Sequence, residues 1–160
     1  MRAGAVLKII LEFMLSTRQA VVEDSVFLED VFLQTMRMHI TAARGFWDEA
    51  KERSQFREQL QFQHTRIIER NGASVGFLMT VERNQDIELH TLCIVPDYQR
   101  QGLGTAITRQ ILNDAHAKKC GVVLSVLKPN TAARLLYERL GFIITEESVH
   151  HYRMRFARTV

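Results

Sequence analysis

The segment Gly121-Val-Val-Leu-Ser-Val-Leu127 limits the possible folds more than any other stretch, because it is almost wholly apolar over the length of one strand. A strand wetted on one face alternates apolar with polar residues, so a continuous apolar run implies cover on both faces. The flanking sequence supplies that cover. Gly102 to Lys119 carries Leu103, Ile107, Ile111 and Ala115 at helical spacing. Asn130 then opens a second helix, whose Ala133, Leu136, Tyr137 and Leu140 share one stripe before Gly141 ends it. Helix, buried strand and helix predict a central parallel strand in a three-layer α/β domain.

Upstream the period changes. Thr65 to Arg70, Ser74 to Arg83 and Ile87 to Val95 read as strands separated by Asn71-Gly72 and Asn84-Gln85-Asp86, which predicts an antiparallel meander. Before it come a strand from Phe13 to Ala20, a helix capped at Asp24-Ser25, and a helical stretch from about Phe46 to Leu60. Phe142 to Thr145 and Val149 to Phe156 close the chain as a hairpin. The predicted fold is a mixed, mostly antiparallel sheet with a central parallel pair flanked by helices.

At 160 residues, with 46% apolar and 24% charged, the chain is one domain able to bury a core. A net charge of +3 with no block of like charges gives no reason to expect nucleic acid as a partner. Cys93 and Cys120 lie far apart without metal-binding spacing, as expected of reduced thiols in a cytoplasmic protein. His150-His151 offers no metal site either, because neighbours on a strand point to opposite faces. Ala3 to Leu15 is apolar but interrupted by Lys8 and Glu12, and no run is long enough to span a bilayer, so no membrane partner is expected. Residues 1–13 read as a leader or extra strand ahead of a domain over 14–160, with Met14 as an alternative translation start.

The chemistry concentrates in Val95-Pro96-Asp97-Tyr98-Gln99-Arg100-Gln101-Gly102-Leu103-Gly104-Thr105, which joins a strand directly to a helix. Pro96 ends the strand. Gly102 and Gly104 permit backbone geometry in which successive N–H groups converge on one oxyanion, and the helix adds its positive end. Arg100 brings a full charge. Such a turn suits a phosphate or pyrophosphate, yet it is neither a P-loop, which needs Lys-Ser/Thr after its second glycine, nor a dinucleotide fingerprint, which needs a small residue where Ile107 stands.

Gln99 to Gly104, followed by Asn130-Thr131-Ala132-Ala133-Arg134-Leu135-Leu136-Tyr137-Glu138-Arg139-Leu140-Gly141-Phe142, resembles the GNAT superfamily of N-acetyltransferases over roughly Leu15 to Phe156. The resemblance implies that the backbone from Gln99 through Arg100, Gln101, Gly102, Leu103 and Gly104 to Thr105 holds the pyrophosphate of acetyl-CoA, with no metal. It implies that Leu92, Cys93 and Ile94 pair with the pantetheine arm as a strand would, while Asn130 holds the arm from the other side. Tyr137 is implied as the acid that protonates the departing thiolate.

For the base, the resemblance points to Glu88, at the position of the glutamate in histone-type members. His90 shares its face two residues along, and ordered water is a third candidate. In members that acetylate ribosomal-protein N-termini the base glutamate would fall at Ser125, which cannot take that role unaided. The resemblance places Phe46 and Trp47 in the region that covers the acceptor, and packing of ordinary helix aromatics is the equal alternative. The implied activity is direct transfer of acetyl to a primary amine of a small molecule or peptide in a ternary complex. A catalytically inactive CoA-binding regulatory module is the alternative, and a different acyl donor or a homodimer remains open.

Overall fold

From Leu15 onward the chain folds as β1 (Leu15–Gln19), α1 (Ser25–Arg44), α2 (Glu49–Gln59), β2 (Thr65–Arg70), β3 (Ala73–Arg83), β4 (Asp86–Ile94), α3 (Leu103–Ala117), β5 (Gly121–Leu127), α4 (Thr131–Arg139), β6 (Ile143–Glu147) and β7 (His151–Phe156). The computed structural model describes residues 14–157 and, ahead of them, Gly4 alone; the expected leader or extra strand over 1–13 lies outside the described residues. One sheet runs in the order β1-β2-β3-β4-β5-β7-β6. Its β4–β5 pair is parallel and the others are antiparallel, as the apolar run at Gly121 predicts.

Alternation along the strands divides the core into two layers. Ile87, Leu89, Val122, Leu124, Val126 and Met154 pack on one face against Leu103, Ile107 and Ile111 of α3 and Tyr137 of α4. Ile67, Phe77 and Cys93 pack on the other against Leu28 and Val31 of α1 and Phe56 of α2. Both layers exclude water, which supplies most of the drive to fold.

The hairpins follow their turn residues. Asn71 and Gly72 both take positive φ, as a two-residue turn matched to strand twist requires, and so do Asn84 and Gln85. Gly141 ends α4 at φ +98°. Asp24 departs from the expected helix cap. Its carboxylate makes no cap bond to α1 and instead takes two bonds from Arg18, at 2.7 and 2.8 Å, and one from the Val21 amide. The second helix begins at Glu49, later than expected, because Asp48 caps it by accepting from the Lys51 amide.

Helix α2 is fastened to α1 by crossed ion pairs. Buried Glu29 of α1 receives Arg53 and Arg57, and buried Glu52 of α2 receives Arg44 Nη1 at 2.9 Å. A carboxylate left alone in such a site would be strongly destabilising, so these pairs fix the helix against its neighbour.

Candidate active site

The site starts from a fault in the sheet. Met79 pairs with Thr91 but Thr80 pairs with Leu89, so β4 carries an extra residue, His90, opposite β3. Such a bulge bends a strand and increases its twist. The parallel ladder with β5 ends at the same place, its last pair being Leu89 and Leu124. Beyond it the strands diverge, and a cleft of about 290 Å³ opens between His90–Cys93 of β4 and Ser125–Leu127 of β5.

The other end of the pair is pinned. Asp86 accepts the Gly121 amide at 2.9 Å and both terminal nitrogens of Arg155 at 2.6 and 3.1 Å. The Arg155 pairing holds the Asp86 carboxyl below its ordinary range. Only glycine fits at 121, since an added Cβ would lie 2.8 Å from Asp86 Oδ1 and 2.9 Å from the Phe156 carbonyl oxygen.

The glycine turn lies just past the open end of β4. Pro96 to Tyr98 form a single 3-10 turn, Arg100 and Gly102 take positive φ, and α3 starts at Leu103. The first helical bond runs from the Ala106 amide to the Gly102 carbonyl at 3.0 Å. The amides of residues 100–105 donate to no acceptor among the described residues. A run of free N–H groups at the positive end of a helix suits an anion. Two side chains of the turn brace it: Gln99 donates to the Ile94 carbonyl at 2.8 Å, and Gln101 donates to that of Asp97 at 3.0 Å while accepting from Arg70. Arg100 stays exposed.

The structure brings Leu92, Cys93, Asn130 and Tyr137 together on the cleft. Asn130 caps α4 by accepting the Ala133 amide at 3.3 Å. Tyr137 is 8% exposed, and burial, followed by the nearby Cys93, pushes its phenol above the ordinary value. Cys93 is 2% exposed, and burial pushes its thiol up to about 12. A thiol so shifted stays neutral at physiological pH and cannot serve as a nucleophile.

Glu88 lies apart from these residues. It lines a neighbouring groove with Arg153 and Arg155, and its Oε1 accepts from Arg153 Nη1 at 3.0 Å. His90 lines the cleft itself, with Nε2 3.6 Å from Glu88 Oε2. Ser125 also lines the cleft and lies 3.4 Å from Arg153 Nη1.

Of the two readings of Phe46 and Trp47, the one that puts them on the pocket is not met, since neither lines this cleft. Phe46 is 55% exposed, and the Trp47 ring sits under the Arg37 guanidinium, 5.9 Å from its centroid. The late start of α2 leaves both in the connecting loop. The wall facing β4 includes instead Phe32, Met36, Ile40 and Arg44 from α1 and Glu52, Gln55, Phe56 and Gln59 from α2. Polar residues spaced three and four apart on α2 were the available signal for it. His151 reaches the cleft from β7, and burial, with Arg44 and His150, holds its imidazole below the ordinary range.

Among the described residues no group of three or more His, Cys, Asp or Glu could hold a metal ion, and no helix is long and apolar enough to cross a membrane.

The family profile described as "Acetyltransferase (GNAT) family" matches residues 32–142. A [Ribosomal protein bS18]-alanine N-acetyltransferase of Escherichia coli is 36% identical over 84 residues, 52% of this chain and 54% of that protein. The chain thus spans about half the length of the curated relatives it matches. Among solved structures, the PaiA N-acetyltransferase of Thermoplasma acidophilum in complex with coenzyme A superimposes with a TM-score of 0.74, covering 89% of this chain and 98% of that one at 16% identity. The spermidine N-acetyltransferase of Vibrio cholerae in complex with CoA and spermine gives 0.65, covering 91% and 96% at 17% identity. At these identities the likeness establishes the fold.

Proposed function

Since the chain belongs to the GNAT acetyltransferase family, we propose that it transfers acetyl from acetyl-CoA to a primary amine of a small molecule or peptide, by direct attack in a ternary complex. One observation carries this reading: the amides of residues 100–105 are free just past the end of β4, and the part of β4 beyond Leu89, unpaired with β5, lines a cleft together with Tyr137. Diphosphate, extended amide-bearing arm and reacting thioester are required in that order.

The amides from Arg100 to Thr105 would bind the diphosphate, with Gln99 and Gln101 holding the turn in shape and Arg100 adding charge. Leu92, Cys93 and Ile94 would offer backbone groups to the arm as a neighbouring strand would. Asn130 would face them from α4, its amide nitrogen left free by a cap that uses only Oδ1. Acetyl-CoA supplies an activated acyl group, which an amine nitrogen can take with loss of a thiol.

Tyr137 would donate a proton to the departing sulfur. Its raised pKa keeps the phenol protonated across the working range, which is the state an acid requires. The acceptor would enter between α1, α2 and the sheet, on the face opposite α4, so that proton removal and proton delivery occur from opposite sides. The base belongs on that entry side, where β4 carries Glu88 and His90. Acceptors of the two named relatives, a ribosomal-protein alanine and a polyamine, share an amine and differ in everything else.

The test is a thiol-release assay with acetyl-CoA and a panel of alanyl peptide, spermidine and other small amines, run on the unaltered chain and on Tyr137→Phe. Release that depends on amine and falls at least tenfold in Tyr137→Phe, with CoA affinity kept, supports the reading. CoA binding without turnover for any amine would favour the inactive regulatory module.

A further inference from the structure

We propose that His90 is the residue that takes the proton from the acceptor amine, and that Glu88 is a positioning residue acting through it. The inference rests on the acetyl-transfer reading above and assigns its base.

The bulge singles out His90. As the extra residue in β4 it has no partner on β3, and it stands where β4 parts from β5. Its side chain is therefore delivered to the mouth of the cleft by the same distortion that opens the cleft. His90 lines the cleft together with Tyr137, whereas Glu88 lines the adjacent groove. The Glu88 carboxylate is also already committed, with Arg153 Nη1 at 3.0 Å and Arg83 Nε at 3.8 Å.

What Glu88 can do from there is orient the ring. Its Oε2 lies 3.6 Å from His90 Nε2, too long for a hydrogen bond but close enough for the carboxylate charge to favour a hydrogen on Nε2 and the lone pair on Nδ1. The side chain of His90 is 35% exposed, which gives the proton an exit to solvent. The charged groups around it are Glu88 on its own strand, Arg83 from β3 and Arg153 from β7. Across the cleft stand Arg44 of α1, Glu52 of α2, Tyr137 of α4 and His151 of β7.

The step balances within these residues. As the nitrogen lone pair forms the C–N bond, the proton on that nitrogen passes to His90 Nδ1. As the C–S bond breaks, sulfur keeps the bonding pair and takes the Tyr137 proton. The imidazolium then releases one proton to water and the phenolate regains one, leaving an amide and a free thiol.

Three measurements on the full chain test the assignment. In the acetyl-CoA assay, with spermidine and an alanyl peptide as probe amines, His90→Gln should lose about a hundredfold or more in kcat/KM together with the acidic limb of its pH profile. Glu88→Gln should keep that limb and lose about tenfold, with the loss in kcat and little change in KM. Independently of turnover, the nitrogen-15 spectrum of His90 should show the Nε2–H tautomer in the unaltered chain and a mixture of tautomers in Glu88→Gln. Calorimetry with CoA checks that both variants are folded and bind. A His90→Gln enzyme that keeps the acidic limb, or a His90 tautomer indifferent to Glu88→Gln, overturns the assignment while the acetyl-transfer reading stands. Absence of CoA heat from the unaltered chain would instead overturn that reading, and this inference with it.

Discussion

Replacing Gly102 with Val separates what the glycine turn contributes to stability from what it contributes to binding. Gly102 sits at φ +80°, where an L side chain crowds the adjacent carbonyl at a cost of about 1–2 kcal/mol, the upper end applying to a β-branched residue. No heavy atom lies within 4 Å of the added Cβ, so strain is the main penalty and the variant folds. A loss of about 2 kcal/mol lowers Tm by roughly 4–8 °C in a domain of this size. The second effect arises because the strain is relieved by rotating φ, which turns the neighbouring amides away from their common focus. Losing two charge-assisted bonds of about 1.5 kcal/mol each weakens CoA binding by about 3 kcal/mol, roughly 150-fold in Kd. Gly45 provides the control. It closes α1 at φ +84° with equally open space, so Gly45→Val should lose similar stability and keep its CoA affinity. Thermal unfolding and calorimetry with CoA read both effects. If Gly102→Val matches Gly45→Val in Tm yet binds CoA as the unaltered chain does, the turn does not hold the diphosphate.

Two further outcomes follow from the ionisable groups. At pH 8 a thiol shifted to about 12 has roughly one thiolate in ten thousand molecules, so iodoacetamide should modify Cys120 and spare Cys93; peptide mass analysis showing equal labelling would contradict the buried site. Stability should fall with acid in two stages. Folding lowers the pKa of His39 and His151 below 6.5, so the unfolded chain binds their protons first and stability declines as pH drops through that value; the lowered carboxyls of Asp24, Glu29 and Asp86 add a second decline as pH drops through about 4. A Tm constant between pH 7 and 5 would contradict the first stage.

Much of this architecture is legible in local sequence. Gly121 to Leu127 marks the central strand because burial on both faces removes polar alternation, and Asn71-Gly72 marks a hairpin because both residues accept positive φ. The glycine turn is legible for the same reason, its geometry being written in the backbone it permits. What could not be read depends on contacts across the sheet. The bulge at His90 is a mismatch between β3 and β4 that neither strand shows alone. The commitment of Glu88 to Arg153 joins residues 65 positions apart. Asp24 looks like a helix cap until Arg18 claims it, and α2 rather than Phe46 and Trp47 lines the cleft because Asp48 sets where that helix begins.

The most direct trial is a titration of the isotope-labelled chain with CoA, followed through its backbone amide resonances. Binding as described predicts the largest shifts at Arg100 to Thr105 and along Leu92 to Ile94, with smaller ones at Asn130. Shifts concentrated elsewhere, or none at saturating CoA, would contradict the assignment of this turn and cleft as the cofactor site.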